Sequence, residues 1–117
     1  MKKKAICADF DKVIHRYSKG WQDGSIYDPP MEGSKEEMER LVSKGYMVII
    51  FTARLNPEVN KDINFQKNKM SKWLDANGFQ KGTHYHHITA VKPIAEVYID
   101  DKALRFTNWE DVSKYFL

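Results

Sequence analysis

The sequence is poor in the features that mark secreted and membrane-embedded proteins. It has one cysteine, Cys7, which excludes an internal disulfide and argues against a metal site built from thiolates. The longest apolar run, residues 47–51, is far shorter than the ~20 residues that a membrane-spanning helix needs. No segment resembles a signal peptide. We therefore expect a protein of the reducing cytoplasm with no membrane partner.

The sequence also lacks a large excess of charge of either sign. It has 19 Lys and Arg residues and 16 Asp and Glu residues, which gives a net charge of +3. This mild excess helps to attract anionic substrates, but it lacks the concentrated basic face of a dedicated nucleic-acid-binding protein. A chain of 117 residues that is 42% hydrophobic can build one core, but not a catalytic domain plus a separate substrate domain. We predict a single domain over residues 1–117.

Short apolar segments alternate with amphipathic ones, which predicts an α/β fold: a mostly parallel Rossmann-like sheet between two helical layers. Strands are predicted at residues 5–8, 46–51, 86–89 and 97–99. Helices are predicted at about 35–44, from about 61 to a stop at 77–78, and after an Asn108 cap. Ser34 and Glu37 match a capping box. Helical spacing assigns four aromatic residues to the core: Trp73, Trp109, Tyr115 and Phe116.

The segment that follows the first strand is irregular and predicts a short flap over about residues 13–28. The irregular segment runs from Lys12 to Pro30 and contains Gly20, Gly24, Pro29 and several scattered aromatic residues. The aromatic residues Tyr17 and Trp21, together with the neighbouring His15 and Arg16, fit either a packed hairpin or a surface that contacts substrate. Both interpretations remain open at this point.

Acidic and hydroxyl side chains follow three of the predicted strands at the point where each strand ends. Asp9 and Asp11 follow the first, Thr52 the second, and Asp100 with Asp101 the last. The carboxyl ends of parallel strands share one edge of the sheet, where ligands bind in open α/β folds. Asp9 and Asp11, two residues apart, point to the same face and repel each other unless a hard cation such as Mg²⁺ neutralises them.

These residue types suit phosphoryl transfer, in which positioning and charge neutralisation supply most of the catalysis. One carboxylate can attack phosphorus, and a second can protonate the leaving oxygen and later activate water. The Thr52 hydroxyl can donate a hydrogen bond to a phosphoryl oxygen, and Lys92, followed by Pro93, supplies a positive charge. Arg54 is close enough in sequence to Thr52 either to contact substrate or to brace the acidic cluster.

The ordered set Asp9-Phe10-Asp11, Thr52, Lys92 and Asp100-Asp101 resembles the four motifs of the haloacid dehalogenase superfamily, over residues 5–106. The resemblance implies a magnesium-dependent phosphatase that forms an aspartyl-phosphate on Asp9. It also implies that Asp11 is the general acid and base and binds the metal through its backbone carbonyl. The implied metal-binding residues are Asp9, Asp11, Asp100 and Asp101, and the implied substrate-binding residues are Lys12, Thr52, Ala53, Arg54 and Lys92.

Short connections after the first strand and between Thr52 and Lys92 leave no room for a folded cap, so the chain is similar to the small capless members. Such an open site suits a phosphate on a small molecule or on a macromolecule, or a second copy of the chain acting as a lid. Where the superfamily usually has glycine after the second aspartate, this chain has Lys12. That side chain either crowds the turn or reaches the phosphate.

Two other classes of function fit parts of the pattern. A non-catalytic regulatory or binding domain could keep the fold, although every catalytic position here holds a competent residue. A phospho-accepting receiver domain also combines acidic residues, Thr and Lys, but it places its acidic pair after the first strand, whereas here a further pair follows Lys92. His84, His86 and His87 suggest a transition-metal site, but edge-strand histidines explain them more simply.

Overall fold

Four strands and three α-helices make up the computed structural model, which describes residues 3–117, so the first two residues of the predicted domain lie outside it. Every predicted strand and the first two predicted helices are present to within about two residues at their ends, but the last helix, predicted to include Tyr115 and Phe116, ends at Ser113. None of the helices in the described residues has the length and apolar character to cross a membrane. The strands are β1 (Ala5–Asp9), β2 (Met47–Phe51), β3 (His87–Thr89) and β4 (Val97–Ile99), and the helices are α1 (Ser34–Ser43), α2 (Ile63–Ala76) and α3 (Trp109–Ser113).

The four strands form one parallel sheet in the order β3-β2-β1-β4. Cys7 in the central strand β1 lies opposite Ile49 of β2 and Tyr98 of β4. The chain adds β2 and β3 on one side of β1 and then returns to add β4 on the other side. The carboxyl ends of β1 and β4 therefore form the topological switch point, where ligands bind in sheets of this kind.

Helices α1 and α2 belong to one apolar core, in which Met38, Met70 and Leu74 are buried with Ala8 and Ile50 of the sheet. Successive right-handed crossovers from β1 to β2 to β3 run in the same direction across the sheet, so they place both helices on the same face.

The sequence predicts helices on both faces of the sheet, but the structure has them packed on one face only. The connection from β3 back to β4, residues 90–96, contains no helix. An extended segment of that length spans roughly 23 Å, which suffices to cross the two central strands without helical turns.

The prediction that the C-terminal aromatic residues belong to the core is wrong. Trp109, Tyr115 and Phe116 are 73%, 73% and 76% exposed, and α3 has no buried residue. Helical spacing shows that one side of a segment is apolar, but it does not show that another element packs against that side. Trp73 does pack against the core, with its ring edge-to-face on Phe10 at 5.3 Å.

The predicted capping box at α1 is also absent. Gly33, in a left-handed conformation with φ 82°, precedes the helix, and Ser34 is its first residue. The buried Ser34 hydroxyl has no hydrogen-bond partner within residues 3–117, so the glycine and not the serine side chain sets the start of the helix. The Asn108 cap of α3 is present, and its side-chain oxygen accepts the Asp111 N–H at 2.9 Å.

Candidate active site

A cavity of about 370 Å³ lies at the carboxyl edge of the sheet, within the size range of small-molecule sites. The strand-end residues meet in it, as the sequence analysis expected from the parallel order. The predicted site residues that line it are Asp9, Asp11, Lys12, Thr52, Ala53, Arg54, Asp100 and Asp101. Lys92 is absent from the lining.

Three carboxylates form the acidic centre of this cavity. Asp9, Asp100 and Asp101 each offer an oxygen, and these oxygens lie within 4.8 Å of one another. Burial, and then the neighbouring Asp100 carboxylate, raise the pKa of Asp9 to about 6, while the Phe10 N–H donates to it at 2.9 Å. A hard divalent cation removes both penalties, so this set of oxygen ligands fits Mg²⁺.

The raised pKa of Asp9 predicts that Mg²⁺ affinity depends on pH. Protonation of Asp9 competes with the cation, so affinity should fall roughly tenfold for each pH unit below about 6. Isothermal titration calorimetry with Mg²⁺ from about pH 5 to about pH 8 measures this. The same affinity across that range would contradict Asp9 as a ligand.

The Asp11 carboxylate belongs to a separate network of donors. Arg54 donates from Nε to Oδ2 at 2.8 Å and from Nη2 to Oδ1 at 3.0 Å. His15 is fully buried, and its Nδ1 lies 2.9 Å from Oδ1. Because the Asp28 N–H donates to the other ring nitrogen of His15, Nδ1 carries the hydrogen and donates to Asp11.

These donors determine the protonation state of Asp11. Burial by itself would raise its pKa, but the hydrogen bonds from His15 and Arg54 outweigh burial and lower the pKa below its ordinary value. The carboxylate is therefore held charged and in one orientation, beside the three clustered carboxylates. This leaves its backbone carbonyl, rather than its side chain, for the metal contact that the resemblance implies.

Arg54 and Thr52 occupy the turn that follows β2, where Ala53–Leu55 form one 3₁₀ turn. The Thr52 hydroxyl is buried and accepts the Arg54 backbone N–H at 3.2 Å, so its own hydrogen remains for donation to a phosphate oxygen. The Arg54 guanidinium is 1% exposed and holds both Asp11 and the Gly24 carbonyl of the flap. The sequence left two roles open for Arg54, contact with substrate or bracing of the acidic residues, and these contacts match the second.

Lys92 lies outside the cavity that contains the acidic centre. Its ammonium sits 4.7 Å from the centre of the Tyr98 ring, in a neighbouring cavity of about 270 Å³ that Asp9 and Asp100 also line. It forms no salt bridge with any acidic residue among residues 3–117.

Lys12 adopts a left-handed conformation, φ 75°, which explains why glycine suits this position. Replacing Lys12 with glycine should raise the free energy of unfolding by about 0.5–1 kcal/mol, because the strain of an L-residue there exceeds the entropy cost of glycine. It should also raise KM for a phosphate ester, because an exposed cation is removed from the cavity. Urea unfolding and steady-state kinetics measure the two effects.

The matched control is Lys19→Gly, in the same flap at a residue without positive φ. It should lower the free energy of unfolding by up to about 1 kcal/mol, because glycine adds entropy to the unfolded chain without relieving strain. If both variants lose stability equally, Lys12 is not strained.

The sequence left His15 open between a packed hairpin and contact with substrate, and its position four residues after Asp11 was only a weak signal that it would hold that carboxylate. The other histidines fit their ordinary interpretation. Nδ1 of His84 and of His86 accept backbone N–H groups of Gln80 and Val48. Among the described residues, the acidic centre is the one cluster with metal-ligand spacing, and it contains no histidine.

Comparisons with known proteins add no family to this geometry. Family models, curated proteins and solved structures gave no significant match. The function of the chain has to be inferred from its own residues.

Proposed function

We propose that this chain is a magnesium-dependent phosphomonoester hydrolase of the haloacid dehalogenase type, acting through an aspartyl-phosphate on Asp9. The observation that carries the proposal is the cluster of Asp9, Asp100 and Asp101 oxygens within 4.8 Å, beside a separately braced Asp11. Asp100 and Asp101 are exposed, but the part-buried Asp9 carboxylate is costly to keep charged beside Asp100 without a cation. The cluster also lies at the switch point of a parallel sheet, where ligands bind.

In the first step, an Asp9 carboxylate oxygen attacks phosphorus as the bond between phosphorus and the leaving oxygen breaks. Asp11, in its protonated form, gives its proton to that oxygen. Arg54 and His15 favour the charged form of Asp11 in the free protein. A phosphate dianion bound beside Asp11 opposes them, because a like charge raises the pKa of a carboxyl group.

In the second step, a water oxygen attacks the phosphorus of the aspartyl-phosphate, and Asp11 accepts the water's proton. Inorganic phosphate leaves and Asp9 is regenerated as a carboxylate. The Thr52 hydroxyl donates to a phosphoryl oxygen throughout. Asp9, Asp100 and Asp101 would hold Mg²⁺, which when bound neutralises charge on the attacking carboxylate and on the phosphoryl oxygens.

The strand order favours this function over a receiver domain. The flavodoxin-like order 2-1-3-4-5, which includes receiver domains, leaves the second strand paired with the first alone. Here β2 pairs with both β1 and β3, and the final acidic pair follows the strand next to β1. A measurement of hydrolysis distinguishes the proposed function from that of a non-catalytic domain with the same fold.

The test is hydrolysis of a generic aryl phosphate and a panel of phosphorylated metabolites with and without Mg²⁺. Acid quenching during turnover, followed by borohydride reduction, converts an aspartyl-phosphate into homoserine, which mass spectrometry locates in the chain. We expect homoserine at position 9 in samples that contain substrate and Mg²⁺. A protein that binds Mg²⁺ and hydrolyses nothing on the panel would favour the non-catalytic alternative.

A further inference from the structure

The tip of the flap is a tight turn, residues 21–24, that is tied to Asp11 through Arg54. The Gly24 N–H donates to the Trp21 carbonyl at 2.8 Å. The Gly24 carbonyl accepts from Arg54 Nη1 at 2.6 Å and from Lys69 Nζ at 3.0 Å. Because the same guanidinium holds Asp11, the turn has a defined position relative to the site.

Trp21, at the start of this turn, lines the cavity and is held in place. The Arg54 guanidinium carbon lies 4.9 Å from the centre of its ring. A Cβ at Gly24 would lie 2.8 Å from the indole, so only glycine lets the ring pack this closely. Trp21 nevertheless remains 40% exposed. An exposed aromatic side chain that is already ordered binds a ligand with little loss of conformational entropy.

Tyr17 places a second aromatic ring in the same cavity. Its backbone φ of 56° is rarely adopted by residues other than glycine, and backbone strain of this kind clusters at ligand sites. The His15 ring packs edge-to-face against it at 5.7 Å. Val59 and Asn56, from the loop after β2, also line the cavity. Because the Asn56 side-chain oxygen accepts the Glu58 N–H, its NH₂ group remains for a ligand.

We propose that this cavity selects nucleoside phosphates, with the phosphate at Asp9 and Thr52 and the planar base against Trp21 and Tyr17. Asn56 offers a hydrogen-bond donor to the edge of the base. The inference rests on the proposed function, because it takes Asp9 as the position of the phosphate. A sugar phosphate without a base leaves the aromatic surface in water, and a nucleoside phosphate covers it, which is favourable.

The experiment compares kcat/KM for a nucleoside monophosphate with that for ribose phosphate. We expect a ratio of roughly 10 in the wild type, which Trp21→Ala abolishes and Trp21→Phe largely keeps. Trp109→Ala, which removes an exposed indole outside the cavity, should keep the wild-type ratio. A Trp21→Ala ratio within about twofold of the wild type would overturn the inference.

A further arm uses an oligonucleotide phosphorylated at one end. A higher kcat/KM for this substrate than for the mononucleotide identifies nucleic-acid ends as the preferred substrates. The reverse result identifies free nucleotides as the preferred substrates. Either result supports selection of nucleoside phosphates, provided that both exceed ribose phosphate. A preference for ribose phosphate contradicts it.

Measurements of binding test this inference independently of the proposed hydrolysis. If no ester is hydrolysed, the proposed function fails, and calorimetry on the Asp9→Asn protein still decides the inference. The nucleoside monophosphate should bind roughly tenfold more tightly than ribose phosphate, and adding Trp21→Ala should remove the difference. Equal affinities would overturn the inference even if hydrolysis succeeds.

Discussion

Replacing Asp9 with asparagine is expected to lower kcat by about 10⁴-fold or more, because an amide cannot form the aspartyl-phosphate of the proposed reaction. The Phe10 nitrogen lies 2.9 Å from Oδ1 of Asp9. Asparagine has nearly the same shape as aspartate and keeps an oxygen that can accept this N–H. Hydrolysis of an aryl phosphate in the presence of Mg²⁺ measures the loss. The variant should also yield no homoserine at position 9 after borohydride reduction.

The stability of this variant distinguishes chemistry from misfolding. The pKa of Asp9 rises from 3.8 to about 6 on folding, so the folded state binds its proton more tightly than the unfolded state. The resulting stabilisation is present at low pH and is lost as pH rises through that window. Without a cation at neutral pH, Asp9→Asn should therefore be at least as stable as the wild type.

Asp75→Asn, the same substitution at an exposed residue of α2, is the matched control and should leave kcat unchanged. If Asp9→Asn retains full activity while Asp75→Asn behaves as expected, Asp9 is not the nucleophile. A large loss of activity accompanied by a loss of stability would point instead to a structural role.

Replacing Arg54 with methionine should lower the free energy of unfolding by about 3 kcal/mol, because it removes the paired charge and two hydrogen bonds from the Asp11 carboxylate. Arg54 is 1% exposed and Asp11 is 19% exposed, so water compensates only in part. The Gly24 carbonyl also loses a donor at 2.6 Å. Urea unfolding measures the change, and faster amide hydrogen exchange in the flap should accompany it.

Arg40→Met is the matched control for this prediction. Arg40 pairs with Glu37 on the surface of α1, with side chains 76% and 64% exposed, so its loss should cost less than about 0.5 kcal/mol. Combining Arg54→Met with Asp11→Asn should restore about 1–3 kcal/mol relative to the sum of the single changes. Equal losses for the two arginine variants would show that Arg54 does not brace Asp11.

The convergence of Asp9, Thr52 and the Asp100-Asp101 pair was predictable from the sequence because each follows a short apolar strand. In a parallel sheet, all such positions lie at one edge. The positions of the strands and of α1 and α2 were predictable for a similar reason, since local periodicity and end signals specify them. The second helical layer was not, because the apolar side of α3 does not reveal whether it packs.

The roles of Arg54 and Trp21 depended on contacts between residues distant in sequence, whereas His15 contacts Asp11 from only four residues away. Arg54 lies 43 residues from Asp11 and 30 from Gly24, and it contacts both. No local pattern encodes which of two possible partners a buried guanidinium meets. The sequence placed Lys92 near the sheet edge but did not show that its ammonium packs on the Tyr98 ring.

The sequence by itself determined the parallel α/β organisation and the residues presented at the carboxyl edge of the sheet, because strand periodicity and chain order are local properties. Only the tertiary structure decided how those residues group together. It separated three carboxylates that suit a cation from a fourth that Arg54 and His15 hold, and it placed the flap aromatic residues in the same cavity. That division depends on packing across long stretches of chain, which sequence spacing does not specify.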